Sequence, residues 1–407
     1  MGIDIDRFFA VRNESCLHCG FCNHEINCPQ KETGICIGCG ACIKGCPQEA
    51  ISLMIGETSE SIRCTVDGQA FTASGPVSVL NLIRALGKEG AISKNNLTER
   101  NYEALCETGG CWDCAVLING VLTRSCVTPL QEGMDIVTDD DTIKENSEAV
   151  RIITLMRPHP HYDPSVFTHG CNYSCGICHN WDMTFASNGR AMNPREAVSK
   201  LHLDQKEDSW VGISGGEPTL NRRWLLETVH ELRKTVPNIR IQLDTNASLL
   251  TTDYIDDLIE SGITHISPDI KALHLKTFME LCGVKSEEKA RQYLETSWEA
   301  VRYINERYKE KLFMAVSFPY FPAIHTLEEL KEMALTLADI SKDIPVTLVE
   351  YQPAFRLRNL PFVSSDDLEA AQKAVEAAGL RKVVVQGGPG IPLATDPLDL
   401  AIGSEDF

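Results

Sequence analysis

Apolar and polar positions alternate in blocks through the second half of this 407-residue chain. Short apolar runs there predict strands, and the amphipathic stretches between them predict helices. The predicted strands are 166–168, 210–214, 239–243, 265–268, 312–317 and 345–350, and the predicted helices lie near 194–204, 222–235, 252–261, 286–308 and 326–341. Six strands that alternate with helices predict a parallel sheet, either doubly wound or a partial barrel. Its functional site is expected at the carboxyl ends of the strands.

The pattern changes in the first part of the chain. Residues 1–58 are dense in cysteine and lack helical periodicity, whereas the residues after them contain strand-like runs at 61–66 and 115–118 and a helix-like stretch at 77–86. A polar, acidic stretch over 139–148 predicts a linker. We therefore expect four segments, namely 1–58, 59–147, an α/β barrel over 148–350 and a C-terminal extension of that barrel over 351–407.

Eight cysteines near the start of the chain form two runs of similar spacing. Each run has three cysteines two residues apart and a fourth that precedes proline: Cys16, Cys19, Cys22 and Cys28, then Cys36, Cys39, Cys42 and Cys46. The runs resemble ferredoxins with two [4Fe-4S] clusters, in which the fourth cysteine of each run serves the other cluster. The resemblance implies one cluster held by Cys16, Cys19, Cys22 and Cys46, and a second held by Cys36, Cys39, Cys42 and Cys28. Structural zinc is the alternative.

Four more cysteines have the plant-type spacing of a [2Fe-2S] ferredoxin: Cys106, Cys111, Cys114 and Cys126. Their surroundings, CETGGCWDCAVLINGVLTRSCVTPL, resemble the [2Fe-2S] domain of the xanthine dehydrogenase family, which implies a β-grasp ferredoxin fold over about residues 60–140. Gly109 and Gly110 suit a loop whose backbone must approach the cluster, and Trp112 stands where that family has glycine. Zinc is again the alternative, and Cys64 is expected to be an ordinary buried thiol.

A third motif follows the first strand of the predicted barrel. It has the form CxxxCxxC and consists of Cys171, Cys175 and Cys178, while the next strand ends in Gly215, Gly216, Glu217 and Pro218. Three thiolates on a four-iron cluster leave one iron open, which S-adenosylmethionine (SAM) can chelate through its amino and carboxylate groups. A glycine pair at a strand end exposes backbone groups that suit the methionine amino group. Together these features resemble the radical SAM superfamily and imply its partial (βα)6 barrel.

Three shorter motifs resemble the pyruvate formate-lyase activating enzymes: Cys178-His179-Asn180, Leu243-Asp244-Thr245-Asn246 and Asp269-Ile270-Lys271. The resemblance implies that Asp244, Thr245 and Asp269 bind a monovalent cation beside SAM. It also implies that Asn246 lies in the cofactor site and that Lys271 meets the SAM carboxylate as part of the catalytic set. For Asp244 and Lys271, the alternative is that they only cap strand ends.

The last part of the chain departs from that family. Pro353-Ala354-Phe355 stands where the family has a ribose-contacting histidine, and Cys282 replaces a threonine. The tail instead resembles the activating-enzyme homologues associated with AMMECR1 and Memo. Cys282 is either a hydrogen-atom donor, a metal ligand or a small buried thiol.

Several polar residues near the predicted barrel also have open roles. Arg356 and Arg358 either grip an anionic substrate or lie in a solvated turn. His159 and His161 either bind a metal or belong to a polar entry loop.

Composition restricts the partners. The chain has 38 Lys and Arg against 57 Asp and Glu, a formal net charge of −19, which disfavours nucleic acid and anionic membranes. The first residues lack a signal peptide and no apolar run reaches the length of a membrane span, so a cytoplasmic protein is expected. Seventeen cysteines at these spacings indicate metal thiolates in a reducing compartment, and we expect an anaerobic source.

These observations predict a radical SAM enzyme with three [4Fe-4S] clusters, one [2Fe-2S] cluster and a monovalent cation. Electrons from an external donor would pass through the ferredoxin segments, and the enzyme would abstract hydrogen from a C–H bond. A protein substrate is preferred, because only 57 residues follow the predicted strand that ends at Glu350. The alternatives are a small-molecule substrate or, outside enzymes, an electron-transfer or redox-sensing subunit.

Overall fold

The computed structural model describes residues 2–57, 60–88, 105–158, 163–204 and 209–387. The chain forms two compact units, and it passes between them several times. The first unit contains 1–153, 168–172 and 181–193, and the second contains 154–167, 173–180 and the residues from 194 onward. These units differ from the four consecutive segments expected from the sequence. Within the described ranges, no helix combines the length and the apolar character that crossing a membrane requires.

The strands and helices are numbered in chain order. The strands are β1 (Gly2–Ile3), β2 (Arg7–Arg12), β3 (Ile51–Gly56), β4 (Glu60–Val66), β5 (Gln69–Gly75), β6 (Ala115–Ile118), β7 (Val121–Arg124), β8 (Asp135–Val137), β9 (Arg151–Met156), β10 (Ser165–Thr168), β11 (Ala191–Met192), β12 (Trp210–Gly215), β13 (Arg240–Thr245), β14 (His265–Pro268), β15 (Phe313–Met314), β16 (Val316–Tyr320), β17 (Val346–Glu350) and β18 (Val383–Gln386). The helices are α1 (Phe21–His24), α2 (Gln30–Thr33), α3 (Ala41–Lys44), α4 (Val79–Lys88), α5 (Asp140–Asn146), α6 (Trp181–Thr184), α7 (Pro194–Lys200), α8 (Arg222–Thr235), α9 (Thr252–Ser261), α10 (Leu275–Cys282), α11 (Glu287–Tyr308), α12 (Leu327–Ile340) and α13 (Ser365–Ala377).

The first unit contains a six-stranded sheet in the order β1-β5-β4-β8-β6-β7. Helix α4 packs on it, and its buried Leu82 and Ile83 share a core with Val66 and Ile136 from the sheet. Cys64 lies in the same core and is 5% exposed, which confirms the expected buried thiol. Strand β1 pairs in parallel with β5, so the start of the chain belongs to this sheet rather than to the cysteine-dense segment.

The two cysteine runs of residues 16–46 lie between β2 and β3, which pair antiparallel from Arg7 opposite Gly56 to Arg12 opposite Ile51. Helices α1 and α3 each begin after a glycine with positive φ, Gly20 at 86° and Gly40 at 78°. Glycine reaches this conformation without the steric cost that a β-carbon brings. Each turn therefore carries the third cysteine of its run into a short helix.

The prediction of a linker over 139–148 is wrong, because these residues form helix α5. The Asp139 carboxylate caps the helix by accepting hydrogen bonds from the Thr142 backbone N–H and hydroxyl, at 2.9 and 2.6 Å. Ile143 anchors the helix, since it is only 3% exposed. One cap and one buried side chain are enough to order a stretch whose polar composition alone indicated a loop.

The second unit contains the predicted parallel strands. Strands β10, β12, β13, β14 and β15 lie in that order, and β16, β17 and β18 form a second parallel group. Asp269, after β14, bridges to Ser317 of β16 and so connects the two groups. The predicted strand 312–317 is interrupted at Ala315 and appears as β15 and β16. Because the strands are parallel, the ends of β12, β13, β14 and β17 lie on one edge, as a (βα)6 barrel requires.

The helices of this unit follow the amphipathic pattern closely, and α8 and α9 have the predicted bounds. The Thr326 hydroxyl caps α12 by accepting from the Glu329 backbone N–H at 3.1 Å. The Glu329 side chain points elsewhere, since it accepts from the backbone N–H groups of Leu273 and His274. Thr326 thus caps the start of α12, and the Glu329 side chain ties this helix to the segment after β14.

Candidate active site

The two cysteine runs lie close together in the first unit. Cys46 is buried beside Cys16 and Cys22, together with Ala50 and Ile51. Cys28 faces the other run, because its charge contributes to the raised pKa values of Cys39 and Cys42. Burial is the main cause of both shifts, which bring these values to about 11 and about 12. The fourth cysteine of each run therefore lies near thiols of the other run.

Backbone and side-chain donors surround these sulfurs. The backbone N–H of Ala10 points at Cys36 Sγ and that of Ala50 points at Cys46 Sγ, both at 3.4 Å. The Arg12 guanidinium donates to Cys22 Sγ at 3.3 Å, and this hydrogen bond is the main cause of the raised pKa of Arg12. Sequence reasoning missed Arg12, because no local motif marks it.

We expect Arg12→Met to lower the midpoint potential of the cluster bound by Cys22. A donor and a positive charge beside the sulfur stabilise the reduced, more negative cluster. Loss of one such bond, worth about 1–1.5 kcal/mol, corresponds to roughly 40–60 mV for one electron. An EPR-monitored redox titration measures the shift. Arg63→Met is the control, because Arg63 pairs with Glu132 on the exposed surface, and an equal shift there would contradict the assignment.

The four cysteines of the [2Fe-2S] motif are buried as two pairs. Cys106 Sγ and Cys111 Sγ are 3.0 Å apart, and Cys114 shares a hydrogen bond with Cys126. All four are at most 2% exposed. Two pairs of thiolates are what a cluster of two irons and four cysteines needs.

Two buried donors in this loop fit a bound cluster. Within the described part of the chain, the Thr108 hydroxyl and the Trp112 indole N–H have no hydrogen-bond partner. A buried donor without an acceptor is costly, so the loop has room for acceptors that the protein itself does not supply. Cluster sulfides are such acceptors. The Trp112 ring also lies under the Arg124 guanidinium, 5.1 Å from the ring centroid, and its backbone is left-handed with φ of 61°.

The CxxxCxxC motif is divided between the two units. Cys171 belongs to a short segment of the first unit, whereas Cys175 and Cys178 belong to the second. In the second unit, the Ser174 N–H donates to the Cys282 carbonyl at 2.8 Å. A β-carbon at Gly283 would lie 2.4 Å from the Ser174 carbonyl oxygen, so only glycine fits there. The end of helix α10 is thus fixed against the cysteine loop.

The same loop is held from the C-terminal side. The Gly176 carbonyl accepts hydrogen bonds from the backbone N–H groups of Arg356 and Leu357, at 2.9 and 3.0 Å. His179 Nε2 lies 3.0 Å from the Gln352 carbonyl. The Asn180 amide donates to the Gly215 carbonyl at 3.3 Å, which joins the Cys-His-Asn motif to the end of β12. The loop is therefore positioned by the end of β12 and by the segment that follows β17.

Cys282 is completely buried and hydrogen-bonded to Cys175. This bond is the main reason why the pKa of Cys175 is lowered, with Lys271 contributing. A lower thiol pKa favours the thiolate, which is the form that ligates iron. Cys282 is thus a buried thiol, and its partner is the second cysteine of the CxxxCxxC motif.

Glu217 ties together two of the predicted SAM-binding motifs. It is fully buried, and its carboxylate accepts from the Thr219 N–H and hydroxyl at 3.0 and 2.6 Å. It also accepts from the Thr245 hydroxyl and the Asn246 N–H, both at 2.7 Å. The Glu217 side chain is thus occupied inside the protein. It orients the ends of β12 and β13.

Lys271 lies at the centre of a buried polar group. Its ammonium contacts the Asp269 carboxylate and the Tyr351 hydroxyl, and its side chain is 8% exposed. Burial opposes the charge of Lys271, but Asp269 and Tyr351 outweigh it and hold its pKa well above the usual value. His325 Nε2 lies 2.8 Å from the Lys271 carbonyl. Lys271 is therefore a fixed cation, suited to a carboxylate ligand.

The predicted cation ligands are partly committed to other contacts. Asp269 Oδ1 is buried and has no hydrogen-bond partner among the described residues. The pKa of Asp244 is raised, mainly by desolvation and also by the charge of Asp269, so the two carboxylates lie near each other. Both features fit a bound cation. The Thr245 hydroxyl, in contrast, donates to Glu217 and accepts from the Ala247 N–H at 3.1 Å.

Other residues of interest fall into three groups. Tyr351 and His325 contact Lys271 but were not predicted; the position of Tyr351 directly after a predicted strand was the available signal. Arg356 stacks on the Phe355 ring at 4.7 Å, and Arg358 donates to the Phe355 carbonyl at 2.7 Å. His159 and His161 lie outside the described residues.

Three protein-family models match this chain, and their order along the sequence is the order of the cysteine motifs. Residues 165–340 match the radical SAM superfamily, residues 59–141 match a 2Fe-2S iron-sulfur cluster binding domain, and residues 29–52 match a 4Fe-4S binding domain. The 4Fe-4S match includes the second cysteine run, and all four cysteines of the first run lie before it.

Curated relatives share separate parts of the chain. A probable GTP 3′,8-cyclase of Sulfurisphaera tokodaii is 35% identical over 125 residues, which is 30% of this chain and 38% of that protein. The FeMo cofactor biosynthesis protein NifB of Klebsiella pneumoniae is 29% identical over 25% of this chain and 24% of its own. One component of the NADH-quinone oxidoreductase of Escherichia coli is 30% identical over 34% of this chain and 15% of its own. The chain thus spans well under half the length of these relatives.

Among solved structures, SuiB of Streptococcus suis bound to S-adenosylmethionine is similar, with a TM-score of 0.40 and 19% identity over 53% of this chain and 48% of SuiB. The match to residues 165–340, the parallel barrel strands and the CxxxCxxC motif together define the second half of the chain. Residues 165–340 are therefore a radical SAM domain, and 2Fe-2S and 4Fe-4S binding domains precede it in the chain.

Proposed function

We propose that the protein reductively cleaves SAM and uses the resulting 5′-deoxyadenosyl radical to abstract hydrogen from a substrate C–H bond. The electrons come from an external donor and pass through the protein's own iron–sulfur domains. Cys171, Cys175 and Cys178 would hold the catalytic [4Fe-4S] cluster. The twelve motif cysteines from Cys16 to Cys126, which leave out Cys64, would hold two further [4Fe-4S] clusters and one [2Fe-2S] cluster.

The observation that carries the proposal is the buried group around Lys271. A fixed ammonium with Asp269 and Tyr351 lies in the second unit, where Lys271 also lowers the pKa of Cys175. A protein that only conducts electrons has no need for a buried cation at this edge. An enzyme that must hold the carboxylate of SAM beside its cluster does need one.

The residues around the cluster would each supply one part of the reaction. The bound cluster supplies the electron that breaks a carbon–sulfur bond of SAM, which yields methionine and the radical. Lys271 would pair with the methionine carboxylate, and the backbone of Gly215 and Gly216 would bind the amino group. Glu217, with Pro218 after it, fixes that backbone, while Asp244 and Asp269 would hold a monovalent cation beside the site.

For the substrate, we propose a protein, as in the activating enzymes. The support is the resemblance of three motifs, which end in Asn180, Asn246 and Lys271. A small-molecule substrate is the second candidate, and the similarity to probable GTP 3′,8-cyclases favours it. An electron-transfer or redox-sensing subunit would require neither Lys271 nor the Glu217 network.

The test is an anaerobic assay of the reconstituted full chain with dithionite and SAM, in which 5′-deoxyadenosine is measured by chromatography. We expect product with dithionite and none without it. A proteome fraction that increases product formation, and loses this effect after protease treatment, would support a protein substrate. An effect that survives protease and passes an ultrafiltration membrane would indicate a small molecule. A reduced, fully loaded protein that makes no product with either fraction would contradict the proposed activity.

A further inference from the structure

The residue before Cys171 touches the [2Fe-2S] loop. Gly170 and the loop both belong to the first unit. A β-carbon at Gly170 would lie 2.9 Å from the Cys111 backbone nitrogen and 3.2 Å from Cys106 Sγ. Only glycine fits such an approach, and the positive φ of 85° at Gly170 also favours it. One thiolate of the [2Fe-2S] site therefore contacts the chain next to a ligand of the catalytic cluster.

The contact is reciprocal and is reinforced by hydrogen bonds. A β-carbon at Gly110, inside the [2Fe-2S] loop, would lie 2.8 Å from the Gly170 nitrogen. The Ile152 N–H donates to the Gly110 carbonyl at 3.2 Å, and the His169 N–H donates to the Ile152 carbonyl at 3.1 Å. Strand β9 thus holds both segments. Gly110, which the sequence analysis placed where the loop backbone approaches the cluster, is therefore also required by this packing.

The other pair of [2Fe-2S] cysteines faces the ferredoxin runs. Cys39 packs against the buried group that contains Cys114 and Cys126 together with Leu80 and Val127. The Lys44 ammonium, at the end of α3, donates to the Cys106 carbonyl at 2.9 Å. The second cysteine run in turn touches the first, since Cys42 packs in the same group as Cys16, Cys22 and Cys46. The cysteine groups therefore contact one another in a linear order.

We propose that the [2Fe-2S] centre is the immediate electron donor to the catalytic centre, and that Gly170 and Gly110 form the contact between them. Electrons then pass from the Cys16 group to the Cys36 group, to the Cys106 group and to Cys171. In each transfer, one electron leaves the reduced [2Fe-2S] centre, which becomes oxidised, and the catalytic centre is reduced. An external one-electron donor protein then reduces the [2Fe-2S] centre again through the Cys16 and Cys36 groups. No proton moves. This order rests on the function proposed above.

A rival contact exists in the same unit. The Phe21 ring, beside Cys22, lies 4.9 Å from the Trp181 ring, and Trp181 follows Cys178 by three residues. This contact would allow the first [4Fe-4S] centre to reduce the catalytic centre directly. It involves side chains on both sides, whereas Gly170 brings a cluster thiolate against the backbone next to Cys171. The shorter protein path favours the [2Fe-2S] centre, because electron tunnelling weakens steeply with distance.

The first experiment needs neither SAM nor turnover. In the dithionite-reduced full chain, a neighbouring paramagnetic cluster accelerates the spin relaxation of the [2Fe-2S] EPR signal. We expect Cys175→Ala, which removes the catalytic cluster, to make that signal saturate at lower microwave power. Cys16→Ala, which removes the first [4Fe-4S] cluster, should leave it unchanged. A [2Fe-2S] signal indifferent to Cys175→Ala would overturn the proposal, as would a change confined to the [4Fe-4S] signals.

The second experiment changes the contact at Gly170 and leaves every cluster cysteine in place. Gly170→Ala and Gly120→Ala both place a β-carbon at positive φ, but Gly120 has no heavy atom within 4 Å of that position. After rapid mixing with dithionite and freeze-quenching, we expect Gly170→Ala to slow the appearance of the reduced catalytic centre. A slowing of about tenfold or more is expected, because small misplacements of reacting groups are costly. Gly120→Ala should match the parent.

The two proposals can fail separately. Spin coupling without any 5′-deoxyadenosine would uphold the electron order and reject the SAM chemistry. Product formation, together with a catalytic centre that is reduced as fast in Gly170→Ala as in the parent, would uphold the SAM chemistry and reject the electron order. If Gly170→Ala does not fold, the relaxation measurement with Cys175→Ala still decides, since it leaves the contact intact.

Discussion

Cys175→Ala is expected to abolish 5′-deoxyadenosine formation and to lower the iron content from about 14 to about 10 atoms per chain. Cys175 is one of three predicted ligands of the catalytic cluster, and its thiol has the lowered pKa that favours ligation. The loss should be confined to this centre, because the cysteines expected to hold the other clusters belong to separate motifs. Iron analysis and the chromatographic assay measure both effects.

Cys64→Ala is the matched control. It also removes one buried thiol, but Cys64 lies in the core of the six-stranded sheet. We expect unchanged iron and product, with only the modest destabilisation of a small core truncation. If Cys175→Ala kept 14 irons and full product formation, the catalytic cluster would have to be assigned to other residues.

Glu217→Ala is expected to lower the free energy of unfolding of the second unit by about 3 kcal/mol or more and to weaken SAM binding strongly. The change removes an acceptor shared by Thr219, Thr245 and Asn246, and leaves their buried donors without a partner. The ends of β12 and β13 would then lose their common anchor. Denaturation monitored by circular dichroism and equilibrium binding of SAM measure the two effects.

Two comparisons sharpen this prediction. Glu217→Gln keeps the size of the side chain and one acceptor, so it should be the milder variant. Glu227→Ala removes a half-buried glutamate that pairs with Arg223 in the same helix, and it should change stability by no more than about 0.5 kcal/mol. Equal destabilisation by Glu217→Ala and Glu227→Ala would show that the buried network is unimportant.

Much of the barrel could be predicted, because its strands and helices carry strong local periodicity. Helices α8 and α9 have the predicted bounds, and the ends of β12, β13 and β14 carry the predicted motifs. Helix α5 was missed, because its composition is polar and its order depends on two residues, the cap Asp139 and the buried Ile143. The bounds of α10 were missed too, because eight residues give little periodicity, although its last residue, Cys282, had been singled out.

Other features depend on contacts between distant residues and could not be predicted. The role of Tyr351 follows from its contact with Lys271, and that of Arg12 from its position beside Cys22. The assignment of 168–172 to the first unit depends on packing between Gly170 and Cys106. Spacing predicts which cysteines share a motif, but only the fold brings one motif next to another.

The interlaced path of the chain has a consequence for its synthesis. The first unit includes 1–153 but also 168–172 and 181–193, with parts of the second unit in between. On the ribosome, this unit cannot be completed until residue 193 has left the exit tunnel, long after all twelve cysteines of the first three centres have emerged. Those thiols would wait in an unfinished protein, so we expect iron–sulfur assembly to follow the synthesis of the early barrel rather than to proceed module by module.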